Sequence, residues 1–250
     1  MVGDEPLRDT AGREVPIAIE VRTAGPGQRL PPCPWEFPEA RRAAAEGLVA
    51  AGANFEPATI VEAYRAGIFP WPHPGEEYLW FSPDPRAILP TDGLVISRRL
   101  GRTIRSGRFG VSIDGAFEEV MRRCGDRPDE GTWITPALVA GYAALHRLGW
   151  AHSVEVWGPD GELAGGLYGV GAGAMFGAES MFHRVRDASK VAMAALAQYA
   201  RQIGIELIDI QVLTPHTASM GGVEVPREEY FSRLRKALAN DARWGTSSGA

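Results

Sequence analysis

Asp209 and Gln211 occupy a stretch that otherwise asks for apolar side chains. Ile205-Glu206-Leu207-Ile208-Asp209-Ile210-Gln211-Val212 predicts a strand over 205–212. Two positions apart on a strand, the pair shares one face with an axial separation of about 7 Å, opposite Ile208, Ile210 and Val212. A carboxylate in such a strand needs partners for both oxygens. Asp209 is therefore either a paired structural group or part of a polar pocket floor. Glu179 poses the same choice within Gly177-Ala178-Glu179-Ser180-Met181-Phe182. Its neighbours Met175, Phe176, Met181 and Phe182 either fill a core or wall a cavity for a large nonpolar group. A carboxylate among them suits an amine.

Other chemistries lack their residues. Ser180 and Ser219 stand in no G-x-S-x-G elbow, and His183 and His216 belong to no nucleophilic motif. There is no H-E-x-x-H, Walker loop or EF-hand, and no metal is expected. Gly165-Gly166 and Gly169–Gly173 look like a phosphate cradle, but no helix follows directly, which disfavours a dinucleotide site. Cys33 and Cys124 are too few for a disulfide framework or a four-thiolate metal site, and a reducing compartment follows. No apolar run reaches about 18 residues and no secretion signal opens the chain. A cytoplasmic protein without a membrane span is expected.

The net charge of −5 over 250 residues argues mildly against a general nucleic-acid binder. It hides a positive segment, however: residues 86–127 carry 9 basic and 5 acidic side chains. Arg98, Arg99, Arg102, Arg105 and Arg108 form its densest part, and three of them can share one face of a short helix. They are a solvated surface or a contact for phosphates.

The elements that position these residues follow from pattern. Residues 1–34 are polar and rich in Gly and Pro, so a poorly ordered N-terminal extension is expected, with Ile17, Ile19 and Val21 alternating like a short edge strand. A helix over 57–66 starts at Pro57 and stops at Gly67. Stiff Pro-rich loops follow at 68–75 and 80–86. A helix from Thr135-Pro136 runs to Gly149, and strands are predicted over 152–157, 163–170 and 174–183. An alanine-rich helix spans 188–202, ended by Gly204, and a last helix covers 227–239. This order predicts a mixed α/β or α+β layer structure.

Taken together, the blocks become recognisable. Ala63-Tyr64-Arg65-Ala66-Gly67-Ile68-Phe69-Pro70-Trp71, Trp80-Phe81-Ser82-Pro83-Asp84-Pro85-Arg86 and Gly131-Thr132-Trp133-Ile134 come first. His152-Ser153-Val154-Glu155-Val156-Trp157, Gly165-Gly166-Leu167-Tyr168-Gly169, the Glu179 block and Leu207-Ile208-Asp209-Ile210-Gln211 follow in order. Over roughly residues 45–235 the chain resembles the leucyl/phenylalanyl-tRNA–protein transferase family. The resemblance implies an α+β fold: a small N-terminal α/β domain over 35–85, then a larger acetyltransferase-superfamily-like (GNAT-like) domain over 86–240, with 241–250 as a C-terminal tail. It implies a monomeric enzyme that takes Leu or Phe, sometimes Met, from Leu-tRNA or Phe-tRNA without a cofactor. The acceptor is the α-amine of a protein beginning with Arg or Lys, which is thereby marked for degradation.

By the same resemblance, Asp209 and Gln211 are the catalytic pair. Phe176, Met181, Leu167, Leu196 and Ile208 form the donor side-chain pocket, with Glu179 at its edge. Tyr64, Trp71 and Trp133 meet the terminal adenosine or shape its approach, and the arginines at 98–108 hold acceptor-stem phosphates. Two other functions compete: an acyl-CoA-dependent N-acyltransferase and a noncatalytic RNA- or degron-binding module. The absence of a pyrophosphate loop before the 188–202 helix counts against the first. Intact Asp209, Gln211 and Glu179 count against the second.

Overall fold

Capping residues set several helix boundaries. The computed structural model describes residues 5–22, 25, 27–72, 77–127 and 131–245. The part of the Pro-rich loop at 73–75 and the outermost ends of both termini lie outside the described residues. Helix α1 (Pro57–Arg65) opens on a proline, whose missing N–H costs nothing at a first turn. Ser97 caps α2 (Arg98–Arg105) and Thr135 caps α4 (Pro136–Arg147), each accepting a hydrogen bond from a first-turn N–H. Helix α3 spans Phe117–Gly125, α6 spans Pro215–Ala218 and α7 spans Arg227–Leu238. Between them, α5 (Ala188–Ile203) ends on Gly204 at φ 88°, a left-handed cap that glycine adopts without strain.

Strands β1 (Glu20–Val21), β5 (Arg86–Leu89), β6 (Gly110–Ile113), β7 (Ala151–Trp157), β8 (Leu163–Ala172), β9 (Met175–His183), β10 (Leu207–Gln211) and β11 (Val223–Val225) form one sheet. Its order is β1-β6-β7-β8-β9-β10-β5-β11. The pairs β1–β6 and β9–β10 are parallel and the others antiparallel. A second sheet, β2-β4-β3, is made from Leu48–Ala51, Leu79–Phe81 and Phe69–Pro70. Two apolar layers cover the large sheet. Helix α5 and Leu100 of α2 pack on one face; α1, α3, α4, α7 and the small sheet's residues pack on the other. No helix among the described residues is long and apolar enough to cross a membrane.

Both ends of the chain depart from expectation. Leu7, Val15 and Ile17 are buried in the α5-side core, and β1 extends the sheet edge beside β6, so residues 7–21 are not part of the weakly ordered extension expected over 1–34. Burial of three apolar side chains outweighs the polar composition between them. At the other end, Ala242 and Trp244 are also buried in that core, so the beginning of the 241–250 tail is packed. The segment over 110–125 carries β6 and α3, and neither is predicted above. If Val15 is a core residue, Val15→Asp places an unpaired charge in that core. The expected loss is about 3 kcal/mol or more in urea unfolding; an unchanged midpoint would show that the N-terminal segment adds no stability.

Candidate active site

Strands β9 and β10 run side by side only as far as Gly177 and Asp209, and beyond that point both are irregular. On β9, Gly169 pairs with Ala178 and Tyr168 with Ser180, leaving Glu179 as the extra residue of a bulge. On β10, Asp209 pairs with Ile88 and Gln211 with Ala87, leaving Ile210 extra, and Gln211 takes a positive φ of 56°. Bulges re-aim side chains. The regular strand predicted for Asp209 and Gln211, with both on one face, is therefore replaced by a kink between them. Gln211 turns toward the gap and Asp209 does not.

Asp209 is fully buried and faces the α7 side. Its Oδ1 accepts from Arg86 Nε at 2.9 Å and from the Gln211 backbone N–H at 3.0 Å. Its Oδ2 accepts from a second Arg86 nitrogen at 2.6 Å and from the Tyr230 hydroxyl at 2.9 Å. Arg86 also donates to the Gly67 carbonyl at 3.2 Å and lies over the rings of Phe69 and Tyr230. Burial opposes the charge on Arg86, but the Asp209 carboxylate more than offsets this and holds its pKa above the ordinary value. The motif around Arg86 belongs to the resemblance, yet nothing in the sequence names Asp209 as its partner 123 positions away.

Glu179 projects into the gap. Its Oε1 accepts from Tyr64 Oη and, at 2.9 Å, from Gln211 Nε2; its Oε2 accepts from Tyr142 Oη at 3.2 Å. Burial pushes its pKa up to about 8, with the negative charge of Asp209 adding to the rise, while the Tyr64 and Tyr142 hydrogen bonds pull it down. Burial, then the charge of Glu179, holds both phenols well above their ordinary range, so they stay donors. Tyr142 carries no signal beyond an apolar spacing in its helix, and its role emerges only from the fold.

Glu179 and Gln211 open onto a cavity of about 440 Å³ between the sheet and α5. Leu167, Met181, Leu196 and Ile208 line it, with Met193, Ala178, Ile210 and Trp133 beside them. Phe176, expected in the donor pocket, does not line it, and neither do Asp209, Tyr64 and Trp71, expected elsewhere in the site. Phe176 is buried behind the wall, Asp209 is enclosed by its donors, Tyr64 is buried beneath Glu179, and Trp71 is exposed on the small sheet beside Phe81. His183 and His216 also line the cavity; burial, then the nearby charges of Lys190 and His183, lowers the pKa of His216.

The arginine row is only partly free. One Arg99 nitrogen donates to both carboxylate oxygens of Asp187 at the start of α5, Arg105 binds Asp9, and Arg108 donates to the Arg186 carbonyl. Arg98 and Arg102 are exposed, with no ion-pair partner among the described residues. Nor, among those residues, do any three or more His, Cys, Asp or Glu side chains cluster to hold a metal ion.

The arrangement suits group transfer: an apolar cavity beside a carboxyl hydrogen-bonded to an amide, with no hydrogen-bonded Ser–His or Cys–His side-chain pair among the described residues. Comparison with known proteins agrees. The family model described as leucyl/phenylalanyl-tRNA protein transferase matches residues 88–235, and the model of its N-terminal domain matches 53–84. A protein named leucyl/phenylalanyl-tRNA--protein transferase from Anaeromyxobacter dehalogenans (strain 2CP-C) is 50% identical over 213 residues, covering 84% of this chain and 91% of its own. One of the same name from Nitratidesulfovibrio vulgaris (strain DP4) is 45% identical over 212 residues, covering 84% and 90%. The solved structure of L-PGS from Bacillus licheniformis aligns at 11% identity and a TM-score of 0.35 over 59% of this chain and 47% of its own, a likeness too slight to bear on fold. The chain belongs to the leucyl/phenylalanyl-tRNA protein transferase family, a family of aminoacyltransferases.

Two outcomes test this geometry. A Glu179 carboxyl with a pKa of about 8 when folded and 4.5 when unfolded binds its proton more tightly in the folded protein. Stability then falls as pH rises between those values, by up to about 1.4 kcal/mol per pH unit. Unfolding of Glu179→Gln across the same range should lack this slope, and equal slopes in both proteins contradict the assignment. Arg86→Met strands the Asp209 charge and should cost about 3–5 kcal/mol in denaturant unfolding; a loss below about 1 kcal/mol contradicts the buried pair.

Proposed function

We propose that the protein transfers Leu or Phe, and at lower rate Met, from aminoacyl-tRNA to the N-terminal α-amine of proteins beginning with Arg or Lys. The product carries a new apolar N-terminus that marks it for degradation. One observation supports this reading above the others: Glu179 stands hydrogen-bonded to Gln211 at the edge of an apolar cavity, where burial pushes its pKa up to about 8. An α-amine has an ordinary pKa of about 8, so proton exchange between the amine and Glu179 is close to balanced.

The aminoacyl ester is already activated and needs no ATP. The amine nitrogen, having given one proton to Glu179, attacks the ester carbonyl carbon. The carbon–oxygen bond to the ribose then breaks, and the ribose hydroxyl leaves with the amine's second proton. Gln211 places the amine through its side-chain amide. Asp209 acts at one remove, because Arg86, Tyr230 and the Gln211 N–H fill its oxygens and fix the kink that presents Gln211. The cavity walls select the donor by shape, at about 1–3 kcal/mol per methylene, so Leu and Phe are separated only modestly. Trp133 of the cavity lining and exposed Trp71 offer faces for the terminal adenosine. Tyr64 acts from below, through Glu179. Arg98 and Arg102 contact acceptor-stem phosphates, while Arg99, Arg105 and Arg108 hold the N-terminal segment and the start of α5 around them. We assign residues 86–240 a GNAT-like architecture on the same footing; its support is the mixed sheet with helices on both faces.

The test mixes purified protein with labelled Leu-tRNA or Phe-tRNA and peptides beginning with Arg, Lys or Ala. Label should pass to the first two peptides only; transfer from acyl-CoA instead, or from no aminoacyl-tRNA, contradicts the proposal. Glu179→Gln should lower kcat at least 100-fold with little change in tRNA affinity, and a loss confined to tRNA binding contradicts its role. Arg98→Gln with Arg102→Gln should weaken tRNA binding and make its salt dependence shallower by roughly two phosphate contacts. Unchanged salt dependence removes these arginines from the tRNA path.

A further inference from the structure

Behind the cavity wall, where Ile208 pairs with Phe176, a row of aromatic rings reaches the C-terminal segment. On the α5 side of β8 and β9, Leu167 and Ala178 line the cavity. Gly169 stands opposite Ala178, and one step further from the cavity Gly171 stands opposite Phe176. Neither glycine has room for a side chain. A Cβ at Gly169 would lie 2.5 Å from Phe176 Cζ, and one at Gly171 would lie 2.9 Å from Trp244 Nε1. The rings therefore lie directly on the sheet, one behind the other, with the Phe176 and Trp244 centroids 5.5 Å apart. Trp244 in turn stacks on His152 at 3.6 Å and 4°, and His152 Nδ1 is 2.7 Å from Asp114 Oδ2.

Trp244 lies beyond residues 88–235, where the family model matches. Backbone hydrogen bonds hold it on both sides: Ala242 N–H to the Gly173 carbonyl, Arg243 N–H to the Ile203 carbonyl, and Gly245 N–H to the Tyr199 hydroxyl. Its own indole N–H and His152 Nε2 are both buried without hydrogen-bond partners. Phe176 cannot move back while Trp244 is in place, nor toward the sheet at Gly169.

We infer that Trp244, acting through Phe176, sets the depth of the donor side-chain pocket and so which amino acid is transferred. Trp244 is a positioning residue, and the inference rests on the proposed transfer activity. Shortening Trp244 lets Phe176 recede and frees space behind the wall residues Ile208 and Leu167, so that the wall yields to the longer aromatic donor in preference to Leu.

Steady-state transfer from Phe-tRNA and Leu-tRNA by the full chain tests this. In Trp244→Ala the ratio of kcat/KM for Phe to that for Leu should rise about tenfold, and in Trp244→Phe about threefold, the smaller change serving where the alanine variant does not fold. In a Phe176→Leu background the Trp244 changes should no longer move the ratio, because the intermediary is gone. Rates that fall equally for both donors, leaving the ratio within twofold of wild type, overturn the inference and leave Trp244 a purely structural residue. A wild-type protein that transfers from neither tRNA overturns the proposed function, and this inference with it.

Discussion

The buried ion pair between Arg86 and Asp209 is the contact on which the site depends. Two charges removed from water cost several kcal/mol each unless every oxygen and N–H finds a partner. Here the carboxylate accepts four hydrogen bonds, and Arg86 adds a carbonyl and two aromatic faces. That network joins four parts of the chain: the loop after α1 through Gly67, strand β5, the end of β10, and α7 through Tyr230. Because one acceptor of the network takes the Gln211 N–H, the pair also fixes the backbone kink from which Gln211 reaches Glu179. The stability of the core and the geometry of the site are one interaction.

The two bulges follow from this arrangement. Regular parallel pairing of β9 and β10 would continue past Gly177 and Asp209 and leave no room between the strands. An extra residue on each strand opens the gap, places one acid and one amide in it, and leaves the apolar faces of β8, β9 and β10 to line the cavity. Glu179 is thereby surrounded by donors that keep it in place and by apolar walls that resist its charge. Those opposed influences bring its pKa near that of the amine it is proposed to serve.

Much of this was legible in the sequence, and the parts that were not share a physical reason. The helix at 188–203 and the strands at 151–157, 163–172 and 175–183 follow from propensity, alternation and turn residues, all local signals. Glu179, Gln211 and Asp209 stood out because a polar group in an apolar run must be either satisfied or useful. What the pattern cannot convey is pairing across distance. Arg86 and Asp209, Tyr142 and Glu179, and Trp244 and Phe176 meet only once the sheet is assembled. The bulges were invisible for the same reason, since register is a property of two strands. Composition misled at the N-terminus, where Leu7, Val15 and Ile17 outweigh the polar residues around them.

The central claim is that the carboxyl facing the cavity titrates near the pKa of an α-amine while Asp209 stays locked to Arg86. The most direct measurement is a pH titration of the Glu179 carboxyl carbon by NMR in protein labelled at glutamate, assigned with Glu179→Gln. The account predicts a midpoint near 8 for Glu179. A midpoint in the ordinary glutamate range, below about 5, would contradict it.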